Sequence, residues 1–218
     1  MIEIAIALGV IGFALVAIIG ILPLGLNVQR DNRAETIVNQ DATYWLEAIR
    51  SGAQGIEDLA SYVDEIVVTD NAMVSRTFTF GPAGMMGAGQ YHYGSNVVSL
   101  LTQPYLTNAS IAYVRAISGA AGEKGSEVGF KYKMVVETIS VTNVALSASF
   151  AAPPPTLYDV RLAFFWPVTR SVVPHEDPTK LPPKYRPPLL YRTLISRSVA
   201  TNYLNNAIGD PEFYRFTP

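Results

Sequence analysis

Ile4-Ala5-Ile6-Ala7-Leu8-Gly9-Val10-Ile11-Gly12-Phe13-Ala14-Leu15-Val16-Ala17-Ile18-Ile19-Gly20-Ile21-Leu22-Pro23-Leu24-Gly25-Leu26 runs for 23 residues without a charged side chain. As a helix rising about 1.5 Å per residue it is about 35 Å long, enough to cross the ~30 Å hydrocarbon core of a bilayer. A cleavable export signal has a basic start, a shorter apolar core and a small-residue cleavage site. Here the run starts beside residue 1, carries an acid, Glu3, instead of bases, and continues past Pro23, so it does not read as such a signal. The first basic residues, Arg30 and Arg33, follow the run. Taken alone they place the rest of the chain in the cytoplasm, and the expected missing piece is a basic leader that has been removed.

Outside that run the chain of 218 residues reads as globular. It carries 16 Lys+Arg against 18 Asp+Glu, a formal charge of −2, and only 16% charged residues, below the ~25% of an ordinary soluble domain. Such a balance offers no basic field to gather phosphates, so no nucleic-acid partner is expected. With no cysteine there is no disulfide framework, no thiolate metal site and no Cys nucleophile, and two distant histidines leave little for a His-based centre. An enzyme is disfavoured, and no catalytic residue, cofactor or metal is expected.

Glu3 stands out because an unpaired carboxylate in lipid costs about 2.5 kcal/mol or more. It either sits among the headgroups or meets a cation, and the nearest is the amine of Met1, its own or that of a neighbouring copy. Met1-Ile2-Glu3-Ile4-Ala5-Ile6-Ala7-Leu8-Gly9-Val10-Ile11-Gly12-Phe13-Ala14-Leu15 resembles the mature N-terminus of type IV pilins and pseudopilins. The family's acid falls at Glu3 and its small-residue position at Gly12, and the resemblance covers about the first 50 residues. One departure stands: the family acid lies four residues after the processed N-terminus, and Glu3 lies two after Met1.

The resemblance implies a leader cleaved, and an N-terminal amine methylated, by a prepilin peptidase. It implies a stay in the inner membrane, with the lipid bilayer and an assembly platform as partners, and then a homo-oligomeric helical filament on the cell surface. Met1 and Glu3 are the implied assembly residues. The leading expectation is a structural subunit of a type IV pilus-like filament, polymerising through its N-terminal helix. The alternative is a minor pseudopilin of a type II secretion or competence machinery, which shares the helix but caps or primes a short pseudopilus. Family members that initiate assembly often lose the acid, so Glu3 favours a repeating subunit. A membrane-anchored enzyme or receptor is the third reading, with no nucleophile–base constellation behind it.

Gly20-Ile21-Leu22-Pro23-Leu24-Gly25-Leu26 puts helix breakers inside the apolar run, where proline costs about 3 kcal/mol and each glycine about 1. A kink and a local melting both follow from those residues. Resemblance to pilins, whose helices unwind near this depth in a filament, makes Gly20, Pro23 and Gly25 the expected melting segment. Beyond it Val28, Ala34, Ile37, Val38, Trp45, Ala48 and Ile49 fall at helical spacing, with Arg30, Arg33, Glu35 and Asp41 elsewhere on the circumference. Gly52 and Gly55 break the pattern, which predicts one helix of roughly 50 residues. The expected domains are an apolar segment, 1–27, and a head, 28–218.

In the head, Ile56, Leu59, Ala60, Val63 and Ile66 predict a second helix over 56–66, with Glu57, Asp58, Asp64 and Glu65 as a solvated acidic face rather than a metal site. Val74 to Phe80, Ser110 to Ser118, Val128 to Thr142, Tyr158 to Trp166 and Leu190 to Ala200 are rich in branched and aromatic residues and mostly alternate, which predicts strands. Val160, Leu162, Phe164 and Trp166 face one side, Asp159 and Arg161 the other. The fold class is therefore α+β: a long N-terminal helix, its apolar half protruding and its amphipathic half packed on an antiparallel sheet. The pilin resemblance implies the same. A short helix over 96–101, capped by Ser95, interrupts the strands.

The loops carry the remaining candidates. Gly81 to Gly94 is glycine-rich but lacks the lysine and βαβ context of a phosphate cradle. Its Tyr91, His92 and Tyr93 are expected subunit contacts or a partly exposed aromatic loop. Pro153-Pro154-Pro155 and Pro167 to Pro188 read as extended arms, with His175-Glu176-Asp177 a solvated loop. Phe213, Tyr214 and Phe216 make the tail too aromatic for a free end, so it docks on its own domain or on a neighbour. The disulfide that closes this region in many pilins has no cysteines here, and the arms and the tail are the expected substitutes.

Overall fold

A computed structural model describes residues 2–53, 56–71, 73–81, 89–103, 108–118, 130–141, 157–166, 168, 188–197, 199–202 and 213–216. The chain divides into two compact units, Met1–Asn39 and Gln40–Pro218. The division falls inside helix α1, Ile2–Ser51, further along than residue 27, where the apolar run gives out. The 50-residue helix ends where the glycine pattern predicts. Gly52 and Ala53 take φ of +65° and +58°, and Ala53 N–H closes on the Ala48 carbonyl at 2.7 Å. Such a left-handed stop satisfies carbonyls that the helix itself cannot. Gly52 also has no room for a side chain, because a Cβ there would lie 2.5 Å from the Phe216 carbonyl oxygen.

In the second unit seven strands form one sheet in the order β3 (Gln90–Tyr91), β2 (Ser75–Phe80), β1 (Val63–Thr69), β4 (Ser110–Arg115), β5 (Lys131–Ser140), β6 (Leu157–Phe165), β7 (Leu189–Ser196). Every pairing is antiparallel except β2–β3, so the sheet is mixed rather than purely antiparallel. Register sets one face: Ala112 opposes Met134, which opposes Phe164, and Val136 opposes Leu162. These five side chains are buried together with Ala42, Trp45, Ala48 and Ile49 of α1. The end of α1 is anchored by side chains as well, since Arg50 donates to Thr193 Oγ1 at 3.1 Å and Arg197 donates to the Arg50 carbonyl at 3.0 Å.

Three local expectations fail for physical reasons. Residues 56–66 are not one helix: a 3-10 turn, Glu57–Tyr62, gives way to β1. Val63, Ile66, Val67, Val68 and Thr69 are β-branched, and a place between β2 and β4 uses that stiffness better than a helix does. Asp64 thus joins a strand, where it pairs with Arg115 at 2.9 Å and Lys131 at 2.7 Å. Helix α2 starts earlier than expected, at Gly94, and runs to Leu101; its N-cap is Tyr93 without a side-chain bond, and Ser95 lies inside it. A Cβ at residue 94 would overlap the Ile56 carbonyl, so glycine lets the helix begin there. Leu190 to Ala200 divides into β7 and β8 (Val199–Asn202), which belongs to a separate two-stranded sheet.

The tail docks on its own unit. β9 (Phe213–Phe216) pairs with β8, and the buried Phe216 ring lies 5.2 Å from that of Tyr158. Deleting Glu212 to Pro218 is therefore expected to leave membrane insertion intact and to lower the thermal stability of the unit. Loss of a buried phenylalanine alone costs about 3–5 kcal/mol. An equal melting temperature in the truncated chain would remove the idea. Pro153-Pro154-Pro155, nearly all of 167–188 with His175-Glu176-Asp177, and 82–88 lie outside the described residues.

Candidate functional site

From Ile2 to Val28 the large apolar side chains of α1 that the structure describes are exposed, Phe13 by 80%. A helix satisfies its backbone groups internally, which lets it enter lipid, and this one is long and apolar enough to cross a membrane. Glu3 lies in its first turn, where free N–H groups favour a negative charge. Met1 lies outside the described residues, and with it the amine expected to meet Glu3. Gly20, Pro23 and Gly25 are helical in the single chain. Pro23 has no N–H for the Ile19 carbonyl, yet the bonds on either side carry the helix through; the expected melting concerns packed copies. A Cβ added at Gly9, Gly12, Gly20 or Gly25 meets nothing within 4 Å, so no intramolecular contact requires glycine there.

At the other end of α1 a buried carboxylate ties helix to sheet. Asp41 Oδ2 accepts from the Tyr132 hydroxyl at 3.0 Å and from Ile117 N–H at 2.9 Å. Its Oδ1 accepts from Ser118 N–H at 2.9 Å and from the Ser118 hydroxyl. Trp45 Nε1 donates to the Tyr132 oxygen at 2.9 Å, so the phenol bridges two residues of the helix. Burial first, and the neighbouring Asp41 second, push the Tyr132 phenol well above its ordinary value, which keeps it a donor. Sequence reading placed Asp41 off the apolar face. It is fully buried, and the signal was available: Ile37, Asp41, Trp45 and Ala48 recur at the three- and four-residue spacing of one helix face.

The aromatic candidates separate. Tyr91 is buried in the single chain and its hydroxyl donates to the Val63 carbonyl at 2.6 Å, so it holds β3 to the core. Phe216 is buried within the same unit for the reason given above. His92 is half-buried and Tyr93 exposed. The side chains of Phe213 and Tyr214 lie outside the described residues.

Asp159 points away from Val160 and Leu162 as alternation requires, but it is buried rather than solvated. Arg192 Nε donates to one carboxylate oxygen at 2.7 Å and Arg161 Nε to the other at 3.0 Å, and Arg161 also reaches Glu137 at 3.3 Å. The bond from Arg192, more than that from Arg161, holds the Asp159 carboxyl below its ordinary value. Comparison of the chain with protein-family models, with curated protein sequences and with solved structures returns no match.

Proposed function

We propose that this chain is a repeating structural subunit of a filament of the type IV pilus kind, held in the inner membrane by α1 until it is polymerised through that helix onto the cell surface. The observation that carries the reading is the division of labour along one helix. Its first half is uncharged after Glu3 and exposed, while Asp41, Trp45 and Ile49 near its end are core residues of a sheet-bearing unit. A membrane anchor needs the apolar half but gives no role to Glu3 or to glycines that touch nothing inside the chain. Helix-to-helix packing gives a role to both: small residues let backbones approach, and a carboxylate in an apolar bundle finds its cation on a neighbouring N-terminus. The product of such a protein is a fibre and not a reaction.

A minor pseudopilin uses the same helix, and abundance separates the two. In filaments sheared from producing cells, a repeating subunit is expected to dominate the protein content. A chain nearly absent from the sheared fraction and retained in the membrane would favour the pseudopilin reading.

A further inference from the structure

The two edges of the seven-stranded sheet differ in chemistry. Beside β3, the His92 ring stacks on Phe80 at 5.7 Å and 25°, and meets Tyr93 edge-on at 4.8 Å. His92 Nδ1 is held 2.9 Å from the Gly81 carbonyl oxygen. The stack is fixed in place, yet Phe80 and Tyr93 remain 45% and 47% exposed. Along β7, Leu190 and Leu194 are 73% and 56% exposed and flank Arg192 on one face of the strand. Asp159 holds Arg192 through Nε at 2.7 Å, and the Arg192 side chain stays 65% exposed.

Among the described residues neither patch complements itself: one has rings and no cation, the other a cation between leucines and no ring. Each complements the other, because an arginine plane stacks on aromatic faces and leucines pack against Phe and Tyr edges. We propose that the ring stack at the β3 edge of one copy docks on the Leu190–Arg192–Leu194 edge of the next copy. The patches sit at opposite ends of one sheet, about 29 Å apart at ~4.8 Å per strand. The contact is therefore heterologous and passes from copy to copy instead of pairing two copies. It rests on the filament reading, since patches of this size hold only where the helices already bring heads together at high effective concentration.

The chain has no cysteine, so two engineered thiols report the contact without background. Filaments of a Tyr93→Cys, Leu194→Cys chain, treated with a short-spacer bismaleimide, are expected to give a ladder of trimers and longer species on denaturing gels. Each single variant is expected to stay monomeric. The span between the edges excludes a link within one copy. If the double variant assembles poorly, equal amounts of the two single variants, diluted into wild-type chains, should still give cross-linked dimers. Filaments of normal yield with both thiols modified and no cross-linked species would overturn the contact and leave the filament reading standing. Wild-type chains that form no filament would overturn both.

Discussion

Glu3→Gln chains are expected to enter the membrane as well as the parent chain, or slightly better, and to enter filaments roughly a hundredfold less. Gln keeps the shape and removes the charge. Breaking a buried ion pair by deleting one partner costs about 3–5 kcal/mol, and each 1.4 kcal/mol is about tenfold in an equilibrium. The effect falls on assembly because the single chain leaves Glu3 exposed in the first turn of α1. In the filament reading proposed above, its cation would arrive with the next copy, whose amine and the acid would attract across a layer of low dielectric. That attraction would also set the axial register between copies. Glu3→Leu should assemble as poorly as Glu3→Gln. Quantifying membrane-bound and filament-bound chain for each variant decides the matter: accumulation in the membrane with polymerisation at the original rate would reduce Glu3 to an interfacial residue.

Asp41→Ala is expected to unfold the second unit about 10 °C below the parent chain. The substitution leaves the Tyr132 hydroxyl, two backbone N–H groups and the Ser118 hydroxyl without their acceptor. Each unsatisfied buried group costs about 1–3 kcal/mol before water or relaxation relieves it. A net loss of about 3–5 kcal/mol at ~2–4 °C per kcal/mol accounts for the shift. Asp41→Asn keeps one acceptor oxygen and should lose less. The raised Tyr132 value adds a pH signature. A phenol raised on folding contributes stability that is present below its unfolded value near 10 and is lost as pH climbs toward the folded value. Alkaline unfolding in Tyr132→Phe should accordingly set in less steeply above about pH 10. Calorimetry of the three variants checks the set, and an unchanged melting temperature in Asp41→Ala would contradict the clamp.

The long elements were legible because their signals are one-dimensional. The uncharged run, the apolar spacing to Ile49 and the glycines at 52 and 55 delimit α1, and alternation in 128–142 and 158–166 points to β5, Lys131–Ser140, and β6, Leu157–Phe165, within a few residues at each end. Where two periodicities overlap, reading fails. Ile56, Leu59, Ala60 and Val63 fit a helix face, and only the neighbours β2 and β4 turn Val63 to Thr69 into a strand. Polar residues were misplaced for a related reason. Asp41 and Asp159 look solvated by type, but the partners that bury them, Ser118 and Tyr132 for one and Arg192 for the other, are remote in sequence. The two-residue β3 is too short for any pattern to declare, and it is the strand that makes the sheet mixed. Of the candidate contacts, sequence could not separate Tyr91, which the core claims, from Tyr93, which it leaves exposed.

A density map of the sheared filament tests most directly whether this chain polymerises through α1. The expected map has residues 2–28 of every copy bundled at the axis, Glu3 beside a neighbour's N-terminus, and a stretched, non-helical segment of a few residues within Gly20 to Gly25, where a bundle must bend to let the heads clear one another. Continuous helical hydrogen bonding from Gly12 to Ala34 would defeat the melting, and an axis built from anything other than these helices would contradict assembly through α1 altogether.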